Sequence, residues 1–206
     1  MQASPKTGGI ILCGGKSTRM GRPKASLSFG PEVMLQRVVR ILSAVVSPIV
    51  VVAAERQDVP ELPADVKIAR DEYEALGPLA GLATGLAALA NRVDAAYASS
   101  CDVPLLKAGF VSRVVSALED HDLAIPRDGE FHHPLAAVYR TRLIPTIREL
   151  VDAGRLRPAF LLECARAREI DVAELRIVDP ELSSLRNINT PEEYAAALKD
   201  AGFPAQ

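Results

Sequence analysis

The sequence predicts a single α/β domain in three layers, with a mostly parallel sheet covered by helices on both faces. Short apolar runs alternate with segments of helical periodicity, which is the pattern of repeated strand–helix units. A length of 206 residues suits one domain of this kind and leaves too little chain for two with normal cores. No repeat, low-complexity tract or linker divides the sequence, so we expect one domain over residues 1–206.

The first half of the chain supplies a regular succession of strands and helices. Strands are predicted at 8–13, 49–54, 66–70 and 94–100, each of which is a short, largely apolar run. Residues 31–46 place their apolar side chains on one face at helical spacing. Gly77 and Pro78 predict the start of a second helix, because proline suits the first helical turn. Gly81 and Gly85 indicate that this helix packs closely against a neighbour.

The second half of the chain is less regular. A helix is predicted at 111–118, strands at 123–126 and 135–139, and helical segments at 144–151 and 159–165. The strongest local signal is the start of the last helix, where Thr190 is the predicted N-cap and Pro191 lies in the first turn. Glu193 follows at the spacing that completes a capping box.

The composition excludes several classes of function. Lys and Arg total 24 against 26 for Asp and Glu, whereas binding to a nucleic-acid backbone needs a basic surplus. Aromatic residues make up 4% and tryptophan is absent, which argues against a base-stacking surface. The longest apolar stretch is broken by glycine and proline and is shorter than a membrane span. Cys13, Cys101 and Cys164 form no ligand motif and indicate a reduced, cytoplasmic location.

The densest chemical signal follows the first predicted strand. Residues 12–24 read LCGGKSTRMGRPK, so that two glycines are followed by four cations, at Lys16, Arg19, Arg22 and Lys24. Glycines at the carboxyl end of a strand let backbone N–H groups approach phosphates. The spacing fits neither a Walker A loop nor a Gly-x-Gly-x-x-Gly dinucleotide loop. We therefore predict a phosphate-binding loop of another kind, with a solvated surface loop as the alternative for any single residue.

Other polar residues fall at the ends of predicted strands or before the last helix. Asp102 follows the strand at 94–100, where a carboxylate can hold a Mg²⁺ that bridges phosphates; a helix cap is the alternative. Asp71 follows the strand at 66–70, and an exposed loop acid is the alternative there. Asn187 and Asn189 lie on one face of an extended segment. Their amides suit a base, a ribose or a phosphate, or else a turn before the helix.

Taken together, these motifs resemble those of the molybdenum cofactor guanylyltransferases, a family of MobA-like nucleotidyltransferases. The segment at 12–24 is similar to the family's signature, and GPLAG at 77–81 is similar to its helix-opening motif. CDVP at 101–104 resembles its metal-binding aspartate motif, and NINTPEE at 187–193 resembles its carboxyl-terminal motif. The matches run in order across nearly the whole chain. The resemblance implies a Rossmann-like nucleotidyltransferase fold.

The resemblance also implies a reaction and a set of site residues. The terminal phosphate of molybdopterin, with or without bound molybdenum, attacks the α-phosphorus of GTP, pyrophosphate leaves, and molybdopterin guanine dinucleotide results. The attacking phosphate is already anionic, so no general base is assigned. The catalytic residues are expected to be Lys24 at the triphosphate, Arg19, and Asp102, which binds GTP and the Mg²⁺ cofactor. The binding residues are expected to be Leu12, Gly14, Gly15, Lys24, Asp71, Asp102, Asn187 and Asn189.

The two substrates are expected to meet between two halves of the domain, a nucleotide half at about 8–105 and an acceptor half at about 106–200. Asn187 and Asn189 are the preferred residues for the pterin, because the family motif covers them. Further candidates are His132, His133, Arg155 and Arg157. GTP and molybdopterin are the expected partners, together with transient contacts to molybdenum-insertion proteins and apo-molybdoenzymes, but no nucleic acid or membrane.

One segment departs from the family's pattern. The second strand typically ends in a segment like Val-Val-Asn-Ala, whose asparagine helps to bind the nucleotide, whereas residues 51–56 here read VVAAER. Backbone groups or Arg56 would have to replace that amide, which puts the guanine preference in question. A molybdopterin cytidylyltransferase is the nearest alternative, and a sugar-phosphate nucleotidyltransferase is the next. A non-catalytic pterin- or nucleotide-binding adaptor ranks last, because Lys24 and Asp102 are both present.

Overall fold

The computed structural model describes residues 5–14, 23–71 and 76–204, and a mixed eight-stranded sheet forms its centre. In chain order the strands are β1 (Thr7–Leu12), β2 (Ser28–Phe29), β3 (Glu32–Val33), β4 (Ile49–Ala54), β5 (Lys67–Asp71), β6 (Ala95–Ser100), β7 (Leu123–Asp128), β8 (Phe131–His132), β9 (Ala136–Arg140) and β10 (Ala167–Asp171). Seven of them lie in the order β10-β7-β9-β6-β1-β4-β5, with β8 paired to β7. Strands β2 and β3 form a separate hairpin.

The sheet reverses its direction of growth beside β1. The chain passes from β1 to β4 and β5 on one side and then returns to β6 on the other side of β1. All four strands run parallel, and Leu12 lies beside both Val52 and Ser100, so their carboxyl ends meet at one edge. Such a reversal leaves a crevice outside the strand ends, where open α/β sheets bind ligands. Strand β9 is antiparallel to β6 and β7, and β8 is antiparallel to β7, so the predicted mostly parallel sheet is confirmed with these two exceptions.

Helices cover both faces of the sheet. The helices are α1 (Met34–Ser43), α2 (Pro78–Leu89), α3 (Ala108–Ser116), α4 (Ile144–Asp152), α5 (Val172–Leu175) and α6 (Pro191–Asp200). Successive strand residues point to opposite faces, and Ile11 accordingly packs in the core with α1 and α3, whereas Ile10 packs with α2 and α4. The predicted three-layer architecture is confirmed. None of the described helices is long and apolar enough to cross a membrane.

Helix α2 packs against β1 at a glycine. A Cβ atom at Gly85 would come within 2.6 Å of Ile10 Cγ2 on β1. That distance is too short for a non-bonded contact, so a residue with a side chain would not fit here without a shift of its neighbours. Gly77, at the start of the helix, has a φ of 78°, which favours glycine over residues with a side chain. The close packing expected from Gly81 and Gly85 is thus found at Gly85, and it brings the amino terminus of α2 to the carboxyl edge of the sheet.

Helix α6 begins with the predicted capping box. Thr190 Oγ1 accepts a hydrogen bond from the Glu193 backbone N–H, and Glu193 Oε2 accepts one from Thr190 N. The helix then packs in a small third core cluster, formed by Phe29, Met34, Ile188, Ala197 and Leu198. This cluster fixes the 187–189 segment beside the hairpin of β2 and β3.

Several predicted element boundaries are wrong. The helix predicted at 31–46 begins only at Met34, because Gly30, with a φ of 69°, and Pro31 turn the chain between β2 and β3. The helical segment predicted at 159–165 is a 3₁₀ helix at Pro158–Glu163. Strand β10 was not predicted, because within its sequence, AREID, Ile170 is the only fully buried residue. It therefore lacks the apolar run by which the inner strands are recognised.

Candidate active site

A lysine and an aspartate meet at the carboxyl edge of the sheet. Lys24 begins a short 3₁₀ turn, and its Nζ donates hydrogen bonds to Asp102 Oδ2 at 2.7 Å and to Asn189 Oδ1 at 2.9 Å. The Lys24 and Asp102 side chains are only 17% and 13% exposed. Because partial burial reduces solvent screening, this pair interacts more strongly than a surface ion pair.

The other side of the Asp102 carboxylate is also occupied. Asn187 Nδ2 donates to Asp102 Oδ1 at 2.8 Å, and Ser100 Oγ donates to the same oxygen. The Ile188 N–H donates to the Asp102 backbone carbonyl at 2.9 Å. These bonds tie the segment before α6 to the end of β6. The structure therefore joins three motifs that are far apart in the sequence into one polar cluster.

A cavity of about 290 Å³ lies next to this cluster. It is lined by Leu12, Gly14, Val52, Ala53, Ala54, Asp71, Gly77, Pro78, Gly81, Ser100, Asp102, Leu135 and Asn187. One end is polar and contains Asp102 and Asn187. The other end lies at the ends of β4 and β5, where Ala53, Ala54 and Asp71 line the cavity. Such a cavity can accept a molecule with a charged part and a flat, less polar part.

Most of the predicted site residues lie in or beside this cavity. Leu12, Gly14, Asp71, Asp102 and Asn187 line it, while Lys24 and Asn189 join it through Asp102. Gly15 and Arg19 were also predicted, and they lie outside the described residues. The geometry thus brings the candidate nucleotide residues and the two candidate acceptor amides into contact with each other.

The remaining acceptor candidates lie in other surroundings, and none of them is among the residues that line the cavity. His132 Nε2 lies 2.8 Å from Glu169 Oε2 at the surface. Arg155 pairs with Glu163, and its guanidinium lies 4.1 Å from the Phe160 ring centre.

The two other acceptor candidates, His133 and Arg157, also lie outside the cavity lining. Arg157 is exposed, and burial lowers the pKa of His133. The contacts of Arg155, in particular, match the surface stabilisation that is an ordinary role for such a cation.

Two thiols lie directly behind the strand ends. Cys13 and Cys101 are buried and free. The interaction between the two thiols lowers the pKa of Cys13, while the same interaction together with burial raises the pKa of Cys101. The Gln57 amide also donates to the Cys13 sulfur at 3.4 Å. The pair forms part of the core on which the site rests.

Two residues near the site were missed by the sequence reasoning. Ser100 holds Asp102, and its position at the end of β6, two residues before Asp102, was the available signal. Gln57 bonds to the ends of both β1 and β4, and no pattern in the sequence indicates this. Arg56, which was considered as a replacement for the missing strand-two asparagine, is exposed and does not line the cavity, whereas Ala53 and Ala54 do.

The donor groups of the cluster suit a magnesium ion. Mg²⁺ takes oxygen ligands and is usually held by one or two carboxylates together with phosphates and water. Asp102 supplies a carboxylate, and the Ser100 hydroxyl lies against it. Lys24 Nζ now contacts one oxygen of that carboxylate, and a phosphate chain would offer this ammonium a stronger anionic partner.

An open, mostly parallel sheet with a lysine, a carboxylate and a cavity at its carboxyl edge defines a nucleotide-binding α/β transferase. The sequence pattern of the MobA-like NTP transferase domain matches residues 9–169, and the chain belongs to that family. It is 35% identical over 191 residues to a molybdenum cofactor guanylyltransferase of Desulfosudis oleivorans, covering 92% of this chain and 93% of the relative. It is 36% identical over 197 residues to a probable molybdenum cofactor guanylyltransferase of Mycobacterium ulcerans, covering 93% and 92%.

A solved structure shows the same fold. The crystal structure of molybdopterin-guanine dinucleotide biosynthesis protein A from Archaeoglobus fulgidus superposes with a TM-score of 0.77 at 22% identity, covering 94% of this chain and 97% of that one. The predicted family and the predicted fold are both confirmed. The protein is a nucleotidyltransferase.

Proposed function

We propose that the protein transfers GMP from GTP to molybdopterin, with or without bound molybdenum, and forms molybdopterin guanine dinucleotide and pyrophosphate. The observation that carries this proposal is the cluster of Lys24, Asp102, Asn187 and Asn189 beside the cavity. It occurs in a chain whose relatives are named molybdenum cofactor guanylyltransferases. A triphosphate at the polar end would place its nucleoside toward Asp71 and the ends of β4 and β5.

Charge neutralisation is the main chemical task in this transfer. The attacking pterin phosphate is already anionic, so the reaction needs alignment of two anions more than it needs a base. Lys24 is held at the strand edge by two oxygen acceptors, and its ammonium is therefore already oriented toward the place where phosphates would lie. A preoriented cation stabilises the charge that develops as pyrophosphate leaves.

Mg²⁺ is the metal that we propose for this site, with Asp102 as its protein ligand. When bound, the ion would supply positive charge to the phosphates during transfer. The residues of this chain have separate tasks. Ser100 and Asn187 hold the Asp102 carboxylate in position, and Lys24, held by Asp102 and Asn189, would bind the triphosphate.

A panel of nucleotides tests the proposal. The enzyme is incubated with molybdopterin, Mg²⁺ and GTP, CTP, ATP or UTP in turn, and pyrophosphate release is measured. We expect turnover with GTP. Turnover with CTP alone would instead identify a molybdopterin cytidylyltransferase, an alternative that Ala53 and Ala54 support because they stand where the family has an asparagine. Absence of turnover with every nucleotide would favour the adaptor.

We also propose that the protein works in the cytoplasm. The free thiols of Cys13, Cys101 and Cys164 support a reducing compartment. Transient contacts with molybdenum-insertion proteins and apo-molybdoenzymes belong to the same proposal, since they would supply the acceptor and take up the product.

A further inference from the structure

A glutamine side chain takes the place of a backbone hydrogen bond between β1 and β4. The register of the two strands pairs Leu12 with Val52, and Cys13 N donates to Val52 O at 2.8 Å. In a regular parallel ladder the next bond would join the Ala54 N–H to the Cys13 carbonyl. Instead, Ala54 N donates to Gln57 Oε1 at 3.2 Å, and Gln57 Nε2 donates to Cys13 O at 2.8 Å.

The inserted carboxamide separates the two strands at their carboxyl ends. A direct backbone bond would hold the donor and acceptor about 2.9 Å apart, whereas here a whole amide group lies between them. The separation occurs where the cavity begins, because Gly14 on one side and Ala53 and Ala54 on the other line it. The side chain of Gln57 therefore fixes the distance between two walls of the cavity.

A second residue holds Gln57 in this position. Residues 54–57 form a turn in which Gln57 N donates to Ala54 O at 3.1 Å. Arg70, on β5, donates through Nη1 to the carbonyls of Ala54 and Gln57, at 2.9 and 2.8 Å. The turn is thus tied to the neighbouring strand, and the carboxamide is oriented before any ligand binds.

We infer that Gln57 is a positioning residue for the nucleotide: by bridging Cys13 and Ala54 it sets the width of the cavity between the start of the glycine loop and the end of β4, where the nucleotide would bind. The inference rests on the proposed function, because it takes the polar end at Lys24 and Asp102 as the phosphate end. Gln57 acts through the backbone of its two partners. Its removal should weaken binding of the nucleoside triphosphate and leave the chemistry at Asp102 largely unchanged.

The first test compares two glutamines. Gln57→Leu removes both bonds at similar volume, and Gln36→Leu is the matched control. Gln36 also makes two bonds to backbone, accepting from Val33 N and donating to Glu61 O, but it does not line the cavity. We expect Gln57→Leu to raise the KM for GTP about tenfold and to change kcat by less than about twofold. Gln36→Leu should leave both constants near their wild-type values.

Calorimetric titration with GTP and Mg²⁺, without molybdopterin, should give the same loss of affinity for Gln57→Leu. Thermal unfolding of both variants separates this effect from a loss of folded protein. Equal GTP affinities in wild type, Gln57→Leu and Gln36→Leu would overturn the inference. A wild-type protein that binds GTP but transfers nothing would overturn the proposed function alone.

A second variant keeps the test decisive if Gln57→Leu folds poorly. Gln57→Glu has the same shape, but its ionised carboxylate cannot donate to Cys13 O, whereas the protonated acid can. At about pH 8, where the introduced carboxylate is ionised, the affinity for GTP should fall about tenfold relative to wild type, as for Gln57→Leu. A wild-type affinity for GTP in Gln57→Glu at this pH would show that the donor to Cys13 is not what positions the nucleotide.

Discussion

At the scale of single residues, the site depends on one aspartate with four partners. Asp102 receives hydrogen bonds from Lys24, Asn187 and Ser100 on its side chain and from Ile188 on its backbone. A group held in this way loses little freedom when a ligand arrives, and preorganisation of this kind is what makes charge stabilisation effective. Its removal should therefore slow the reaction.

Substitution of Asp102 provides the direct measurement. Asp102→Ala should lower kcat by at least about a hundredfold at saturating Mg²⁺, the scale of losing one group that stabilises charge in the transition state. Asp122→Ala is a suitable control, since Asp122 is also an ion-paired aspartate with a 17% exposed side chain and lies outside the cavity lining. If Asp102→Ala keeps a near-normal rate while folded, Asp102 is a structural cap and the metal assignment is wrong.

Substitution of Lys24 distinguishes binding of the triphosphate from a purely structural ion pair. Lys24→Ala should raise the KM for GTP and slow the transfer, and Arg19→Ala should do so to a smaller extent. Lys24→Arg should restore activity only in part, because a planar guanidinium cannot replace a compact ammonium between Asp102 Oδ2 and Asn189 Oδ1. Lys107→Ala, which breaks a pair with Asp179, is the control. Equal GTP affinity in wild type and Lys24→Ala would contradict the phosphate role.

At the scale of elements, the segment before α6 connects the two substrates. The capping box at Thr190 and Glu193 fixes the start of the helix, and Glu193 Oε2 also accepts from Asn189 N at 2.6 Å. The amides of Asn187 and Asn189 are thereby presented to Asp102 and Lys24 from the carboxyl-terminal side of the cluster. This arrangement is consistent with a segment that meets the acceptor where it approaches the nucleotide phosphates.

The two amides should act mainly on the pterin. Asn187→Ala and Asn189→Ala are expected to raise the apparent KM for molybdopterin or lower kcat by more than they weaken GTP binding, which they can affect through Asp102 and Lys24. Thr190→Ala removes the helix cap without touching either amide and should cost about 1 kcal/mol of stability, so it controls for loosening of the helix. Affinities for GTP and for molybdopterin are measured separately for each variant. A loss confined to GTP would assign the amides to the nucleotide.

The elements also show what the sequence could predict. Strands β1, β4 and β6 are largely apolar runs buried on both faces, and the capping box involves residues three positions apart. Both features can therefore be predicted from a short window of sequence. Strand β10 could not be predicted in this way, because its exposed edge position removes the apolar run. The contact of Lys24 with Asn189 spans 165 positions, and Gln57 depends on the register of two strands. Motif order indicated that such residues belong together, but only the fold fixes which atoms meet.

At the scale of the whole molecule, the site couples distant parts of the chain. Its described residues range from Leu12 to Asn189 and come from the ends of β1, β4, β5 and β6, the 3₁₀ turn at Lys24, the start of α2 and the segment before α6. Both main core clusters reach this edge, one through Leu12 and the other through Cys13 and Cys101. A ligand that binds here contacts the ends of elements on both layers, so it should stabilise them together.

GTP with Mg²⁺ should therefore raise the melting temperature of the whole protein in one transition. At a free concentration of one hundred times Kd, binding contributes about 2.7 kcal/mol. For a chain of this size that corresponds to roughly 5–10 °C, measurable by scanning calorimetry. Chelation of Mg²⁺ or the Asp102→Ala substitution should reduce the shift, because each removes charge neutralisation at the phosphates. The shift depends on the ratio of the nucleotide concentration to its Kd. GTP and CTP are therefore compared at equal concentrations, so that the nucleotide with the lower Kd gives the larger shift. A larger shift with CTP than with GTP would contradict the proposed guanine preference, and a shift that survives both chelation and Asp102→Ala would contradict the metal site.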